Sequence, residues 1–197
     1  MASSIDHDQD LWCLLKAGDE EAYSQLFRRH YASLVSYGKS LTSHHILVQD
    51  CVQEVFIEIW MYRNNLVIPS SVKAYLLSGV RKRIARKLER DHIFRHSDEL
   101  ADVSCEVSFT VLDEMISDEE TRNQVYTLNH FINQLPRRQR EALYLRYHQE
   151  LDIEEIAQLL QVNSQSVSNL LHRGIKHLRE IWVGELPSLL ILFSFLC

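Results

Sequence analysis

Only five glycines and three prolines occur in 197 residues, and this scarcity of chain breakers constrains the fold more than any other feature. A β-rich chain must turn every few residues, and glycine and proline supply many of those turns. Apolar residues instead recur at three- and four-residue spacing over long stretches. No stretch alternates apolar and polar long enough to demand a sheet. The expected class is all-α: two small helical domains joined by an acidic linker, the second carrying a helix-turn-helix.

The first half predicts four helices. Leu11, Leu14 and Leu15 mark a short one, closed by Gly18. Asp19 can cap the next, in which Tyr23, Phe27 and Tyr31 recur beside Leu26 and Leu34. The third runs over residues 45–62. Leu47, Cys51, Val55 and Ile59 form its inner row, and Val48, Val52 and Phe56 widen it. Residues 63–71, with Asn64, Asn65 and Pro69, break the pattern. Over residues 72–90 the period resumes, with Leu77, Val80, Ile84 and Leu88 inward.

The net charge of −6 argues against a chain that coats nucleic acid indiscriminately. Its distribution says more. Residues 72–96 hold eight Lys/Arg against two Asp/Glu, while residues 97–121 hold nine Asp/Glu and no Lys/Arg. The basic segment is helical, with Lys82, Arg86 and Arg90 at i, i+4 spacing and Arg83 and Lys87 in a parallel row. The acidic segment is weakly periodic and predicts a linker, in which Phe109, Val111, Leu112 and Met115 could form a transient helix.

Beyond residue 122 the helical period returns. Val125, Leu128, Ile132 and Leu135 mark a helix that stops at Pro136, and residues 137–148 predict another, with Leu143 and Tyr147 inward. Asp152 with Glu155 three positions later resembles a capping box in front of a short helix. A turn at Gln161, Val162 and Asn163 follows, and Ser164 can cap the final helix. A short helix, a tight turn and a longer helix with a polar first turn are the parts of a helix-turn-helix over residues 152–179. Gln165, Ser166 and Asn169 lie on the face that would enter a major groove and can read base edges, while His172, Arg173 and Lys176 are better placed for phosphates. Periodicity alone leaves open a generic helical hairpin with a solvated polar face.

The run LPRRQREALYLRYHQELDIEEIAQLLQVNSQSVSNLLHRGIKHLRE, residues 135–180, resembles the fourth conserved region of sigma-70-family transcription initiation factors. VQDCVQEVFIEIW (48–60) and SVKAYLLSGVRKRIARKLER (71–90) resemble the second conserved region of the extracytoplasmic-function (ECF) sigma factors, in forms common in Bacteroidetes. The chain departs from the family in three places. Gln161 stands where members often have Gly, Gln149-Glu150 replaces the usual Gly before the short helix, and Gly174 lies inside the last helix where Ala is more usual.

The resemblance implies a sigma region 2 domain over residues 1–96, an acidic linker over 97–121, a region 4 domain over 122–184 and an apolar tail over 185–197. It implies that Asp50, Gln53 and Glu54 contact core RNA polymerase. It places −10 recognition and strand separation on Asn64, Asn65, Tyr75, Lys82, Arg83, Arg86, Lys87 and Arg90. For Tyr75, a core position and a base-stacking position stand as alternatives. It assigns the −35 element to Gln165, Ser166, Asn169, His172, Arg173 and Lys176. Its partners would be core polymerase, promoter DNA and an anti-sigma factor, which can be a membrane-anchored one. No cofactor, metal or small-molecule substrate is expected. The tail LPSLLILFSFLC (186–197) would span about 18 Å as a helix, short of a roughly 30 Å hydrocarbon core. It either packs on the second domain, meets a membrane-bound anti-sigma partner or associates shallowly with a membrane.

Other classes fit less well. Cys13, Cys51, Cys105 and Cys197 form no paired motif, which fits a reducing compartment, and the polar acidic start has no secretion signal, which fits the cytoplasm. The adjacent acids Asp118, Glu119 and Glu120 do not face one another on a helix. No glycine-rich phosphate loop or nucleophile elbow is present, so no catalytic residues are expected. A stand-alone helix-turn-helix regulator with an N-terminal sensing domain is the rival reading. It would share the last two helices without needing the basic helix and Asn-bearing loop.

Overall fold

The computed structural model describes residues 3–94 and 119–182. All the regular structure among them is helical: α1 (Ser3–Lys16), α2 (Glu20–Leu41), α3 (His45–Met61), a 3-10 turn (Arg63–Asn65), α4 (Val72–Phe94), α5 (Glu119–Gln134), α6 (Arg137–Leu143), a π turn (Tyr144–His148), α7 (Ile153–Leu160) and α8 (Ser164–Trp182). The apolar tail and residues 97–118 of the acidic run lie outside the described residues, and residues 119–121 open α5. No described helix is long and apolar enough to cross a membrane.

The chain divides into two compact units, Met1–Glu106 with Glu155–Gln161, and Val107–Glu154 with Val162–Cys197. In the first, α2, α3 and α4 pack pairwise, and α1 lies against α2 and α4. Asp19 begins α2 as its composition requires: its Oδ1 accepts from the N–H groups of Glu21 (2.8 Å) and Ala22 (3.0 Å). The inner row of α3 is buried at Val48, Cys51, Val52, Val55, Phe56 and Ile59, and α4 adds Leu76, Leu77, Val80 and Ile84. Tyr23 and Phe27 of α2 meet Phe56 edge-on, and Tyr23 also reaches Trp60. Such pairs add to what their buried area contributes. Gly38 lets α2 and α3 approach closely, because a Cβ there would stand 2.4 Å from Val48 Cγ1. On α1, Leu11, Trp12 and Leu15 are the buried residues, while Leu14 is half exposed. The expected inward set of that helix is therefore corrected: Trp12 takes the place of Leu14.

In the second unit α6 packs on α8, with α5 alongside. Ile132, Leu135, Ala142, Leu143, Tyr144, Leu145, Val167, Leu171 and Leu178 are buried. Gly174 is explained by this packing. A Cβ added there would meet Leu143 Cδ1 at 3.0 Å, so the missing methyl lets α6 and α8 touch. The helix after Pro136 is not uniform: one widened turn follows Leu143, a π segment that periodicity does not predict.

Candidate nucleic-acid and polymerase interfaces

In the first unit the end of α3, the two residues that flank the 3-10 turn and the middle of α4 line a groove of about 350 Å³. Tyr62, Leu66 and Tyr75 line it together with Lys82, Arg83 and Arg86. Tyr75 is 37% exposed and meets the buried Trp12 ring edge-on at 5.2 Å. Tyr75 is therefore not a core residue, and its ring lines the groove. Asn64 and Asn65 sit in the 3-10 turn and are exposed. Arg63 anchors this turn, donating to the Trp60 carbonyl (2.7 Å) with its guanidinium 4.4 Å above the Trp60 ring. Ser71 Oγ accepts from the Ala74 N–H and so opens α4.

The basic face of α4 divides in two. Lys87 donates to Glu54 of α3 at 2.8 Å, and Arg83 is paired with Glu58 of the same helix. The hydrogen bond to Glu54 is the main cause holding the Lys87 ammonium above its ordinary pKa. Among the described residues Lys82, Arg86 and Arg90 make no ion pair, and all three are exposed. Two of the like charges on α4, Arg83 and Lys87, are thus relieved by acids on a neighbouring helix, 33 residues earlier in the chain for Lys87.

Asp50 and Gln53 are exposed on the outer face of α3, and Glu54 sits at its margin, half-buried. The same outer face carries Ile46, Ile57 and Met61, exposed to 77%, 58% and 69%. Residues 46, 50, 53, 57 and 61 fall on one side of a helix. The stripe thus places three large apolar side chains beside Asp50 and Gln53 on one exposed face. Sequence reading picked the polar members and missed the apolar ones, although their spacing outside the inner row was the signal.

On α8 the polar face is open. Gln165, Asn169, His172, Arg173 and Lys176 are exposed and Ser166 is half-buried. Gln165 Nε2 lies 3.3 Å from Asn169 Oδ1, so the two amides on successive turns are held together. The helix is capped by Asn163, whose Oδ1 accepts from the Ser166 N–H at 2.7 Å. Ser164 is the first helical residue. The expected cap is therefore displaced by one residue, since Asn and Ser are nearly equal as caps and adjacent here. The turn before it passes through Gln161 at φ 58°, and the approach to α7 passes through Glu150 at φ 56°. Both are left-handed conformations that favour glycine, which accounts for the glycines that family members carry at these places.

Residues 26–93 match the family model described as Sigma-70 region 2, and residues 127–178 match the one described as Sigma-70, region 4. Together these matches take in well over half of the chain. The protein belongs to the sigma-70 family. Within it, the chain is similar to the ECF RNA polymerase sigma factor SigM of Bacillus subtilis (strain 168), 20% identical over 159 residues that make up 80% of this chain and 93% of the relative. The fold is shared with CnrH, solved in complex with the cytosolic domain of CnrY: TM-score 0.61 and 18% identity, covering 89% of this chain and 96% of that one. It is also shared with the sigma factor RpoE of Bartonella quintana, solved in complex with the anti-sigma factor NepR: TM-score 0.56 and 19% identity, covering 83% and 98%. This sigma factor, of the ECF type, serves promoter-directed transcription initiation by RNA polymerase. The groove beside α4 falls within its region 2 match, and α8 up to residue 178 falls within its region 4 match.

Proposed function

We propose that three surfaces divide the work of this sigma factor. The observation that carries the reading is the groove in the first unit, lined together by Tyr62, Tyr75, Lys82 and Arg86, with Asn64 and Asn65 in the 3-10 turn between its lining residues Tyr62 and Leu66. Single-stranded DNA is held by aromatic surfaces for bases and cations for phosphates, and an extruded base needs hydrogen-bonding groups as well. Asn64, Asn65 and Tyr75 take the flipped base of the −10 element. Lys82, Arg86 and Arg90 hold the melted strand, with Arg83 and Lys87 behind them, tied to α3. Gln165, Ser166 and Asn169 read the −35 element while His172, Arg173 and Lys176 position the backbone. Asp50, Gln53 and Glu54, with Ile46, Ile57 and Met61, dock on core polymerase.

The domain assignment is part of this reading: residues 1–96 as region 2, 97–121 as linker, 122–184 as region 4 and 185–197 as a tail. Tethering lets two weak DNA contacts act as one stronger one. The protein is read as non-catalytic and cytoplasmic, with bond formation left to the polymerase, and as a Bacteroidetes-type ECF factor. An anti-sigma factor is its expected regulator, in a form that can be membrane-anchored. The complexes in which CnrH and the Bartonella RpoE were solved support a partner of that kind.

Transcription reconstituted with core polymerase tests the assignment. The expected result is initiation at defined start sites only when the chain is added, lost with Lys82→Ala/Arg86→Ala. Tight binding of the isolated chain to duplex DNA, without support of initiation by core, would instead identify a stand-alone regulator.

A further inference from the structure

The loop between the 3-10 turn and α4 is exposed at Val67 (73%) and Ile68 (54%) and has no regular structure of its own. It is nonetheless tied at two backbone carbonyls by side chains of α1. Trp12 Nε1 donates to the Val67 carbonyl at 3.1 Å, 55 residues away in sequence, and Gln9 Nε2 donates to the Ser70 carbonyl at 3.2 Å, 61 residues away. The Trp12 ring is 1% exposed, so the core fixes where its N–H points. The same ring meets Tyr75 edge-on at 5.2 Å, with the planes 74° apart. One buried indole thus touches both the loop and the aromatic wall of the groove.

We propose that Trp12 and Gln9 are positioning residues for −10 recognition: α1 holds the loop and Tyr75 in the geometry that discriminates one base from another. The proposal rests on the reading of residues 63–71 as the base-capturing loop. A pocket that selects among bases must be preorganised, because a loose loop accommodates the wrong base nearly as well as the right one. Indole N–H can only donate, so Phe at position 12 keeps the ring edge while releasing the Val67 carbonyl. Gln9→Ala releases the Ser70 carbonyl at a partly exposed position.

Holoenzyme made from host core polymerase and the full chain would transcribe sheared host genomic DNA, and sequencing of RNA 5′ ends would read base preference upstream of the start sites. For Trp12→Phe and Gln9→Ala the expected result is a preference relaxed by about threefold to tenfold at one or two −10 positions. The −35 preference and the affinity for core should stay unchanged. A uniform loss at all promoters with base preferences intact would mean that α1 serves stability alone, and would overturn the proposal. Gln9→Ala carries the test if Trp12→Phe lowers the folded fraction. Asn64→Ala and Asn65→Ala separate the two levels. If they relax the −10 preference and the α1 variants do not, the proposal fails alone. If none of the four relaxes it, the loop reading fails with it.

Discussion

Glu54 of α3 accepts a 2.8 Å hydrogen bond from Lys87 of α4, so a carboxylate at the margin of the proposed polymerase face holds a cation of the proposed DNA face. The pair is partly exposed, and such pairs contribute about 0–1 kcal/mol to stability. Its larger effect is on availability. Glu54→Gln should leave stability within about 1 kcal/mol of the parent and strengthen binding of a single-stranded oligonucleotide to the isolated chain. Fluorescence anisotropy over a salt series should show the slope of log affinity steepening by about 0.7. An unchanged slope would mean that Lys87 does not reach DNA.

Positions on α8 should separate by role. Asn169→Ala should alter preference at one −35 position, costing about 1–3 kcal/mol for the favoured base. Arg173→Ala should weaken all sequences alike and lower the salt slope by about one. Competition binding of holoenzyme to −35 variants distinguishes these outcomes.

Backbone strain at the turn yields a stabilising change. Gln161 holds φ 58°, and a left-handed residue other than glycine costs roughly 1 kcal/mol. Gln161→Gly should relieve part of that and move the urea midpoint upward, although glycine's greater freedom in the unfolded chain offsets some of the gain. A lower midpoint would show that the Gln161 side chain contributes more than its backbone costs.

His30 makes stability depend on pH. Its Nε2 is 2.9 Å from Asp8 Oδ2, and Arg29 is paired with the other oxygen. Burial lowers the His30 pKa and outweighs the pull of Asp8, while Lys73 and Arg29 push the same way as burial. The unfolded histidine, near 6.5, therefore takes up its proton before the folded one does. The stability from keeping His30 neutral is fully present above about pH 6.5 and falls as pH drops from there toward the lowered folded value. Urea midpoints at about pH 7.5 and about pH 5.5 should differ less in His30→Gln than in the parent. An equal difference would remove His30 as the cause.

What could be read from the chain alone follows the range of each interaction. The inner rows of α3 and α4 and the Asp19 cap are local, with partners within a few residues, and they were legible. The Lys87–Glu54 and Arg83–Glu58 pairs were not, because helical spacing exposes only neighbours on the same helix. Trp12 was missed for the same reason: it lies in the apolar run Leu11–Leu15, where composition does not single it out, and its hydrogen-bond acceptor is a distant backbone carbonyl. The π turn at Tyr144–His148 is one residue's worth of extra winding, which a periodicity count absorbs without trace. The polar face of α8 was legible as a set of residue types, but the helix's cap was misplaced by one where two good capping residues adjoin.

Gly174 never faces solvent, yet on the proposed reading of α8 it bears on promoter choice. A Cβ at this position would stand 3.0 Å from Leu143 Cδ1, so either the Leu143 side chain gives by a few tenths of an ångström or α8 shifts on α6. A larger residue that Leu143 does not accommodate would shift the helix, and with it Gln165 and Asn169, against the DNA groove they are proposed to read. Which promoters the factor selects can thus drift by substitution at a site that meets no base, and a search for specificity determinants confined to the exposed face would overlook it.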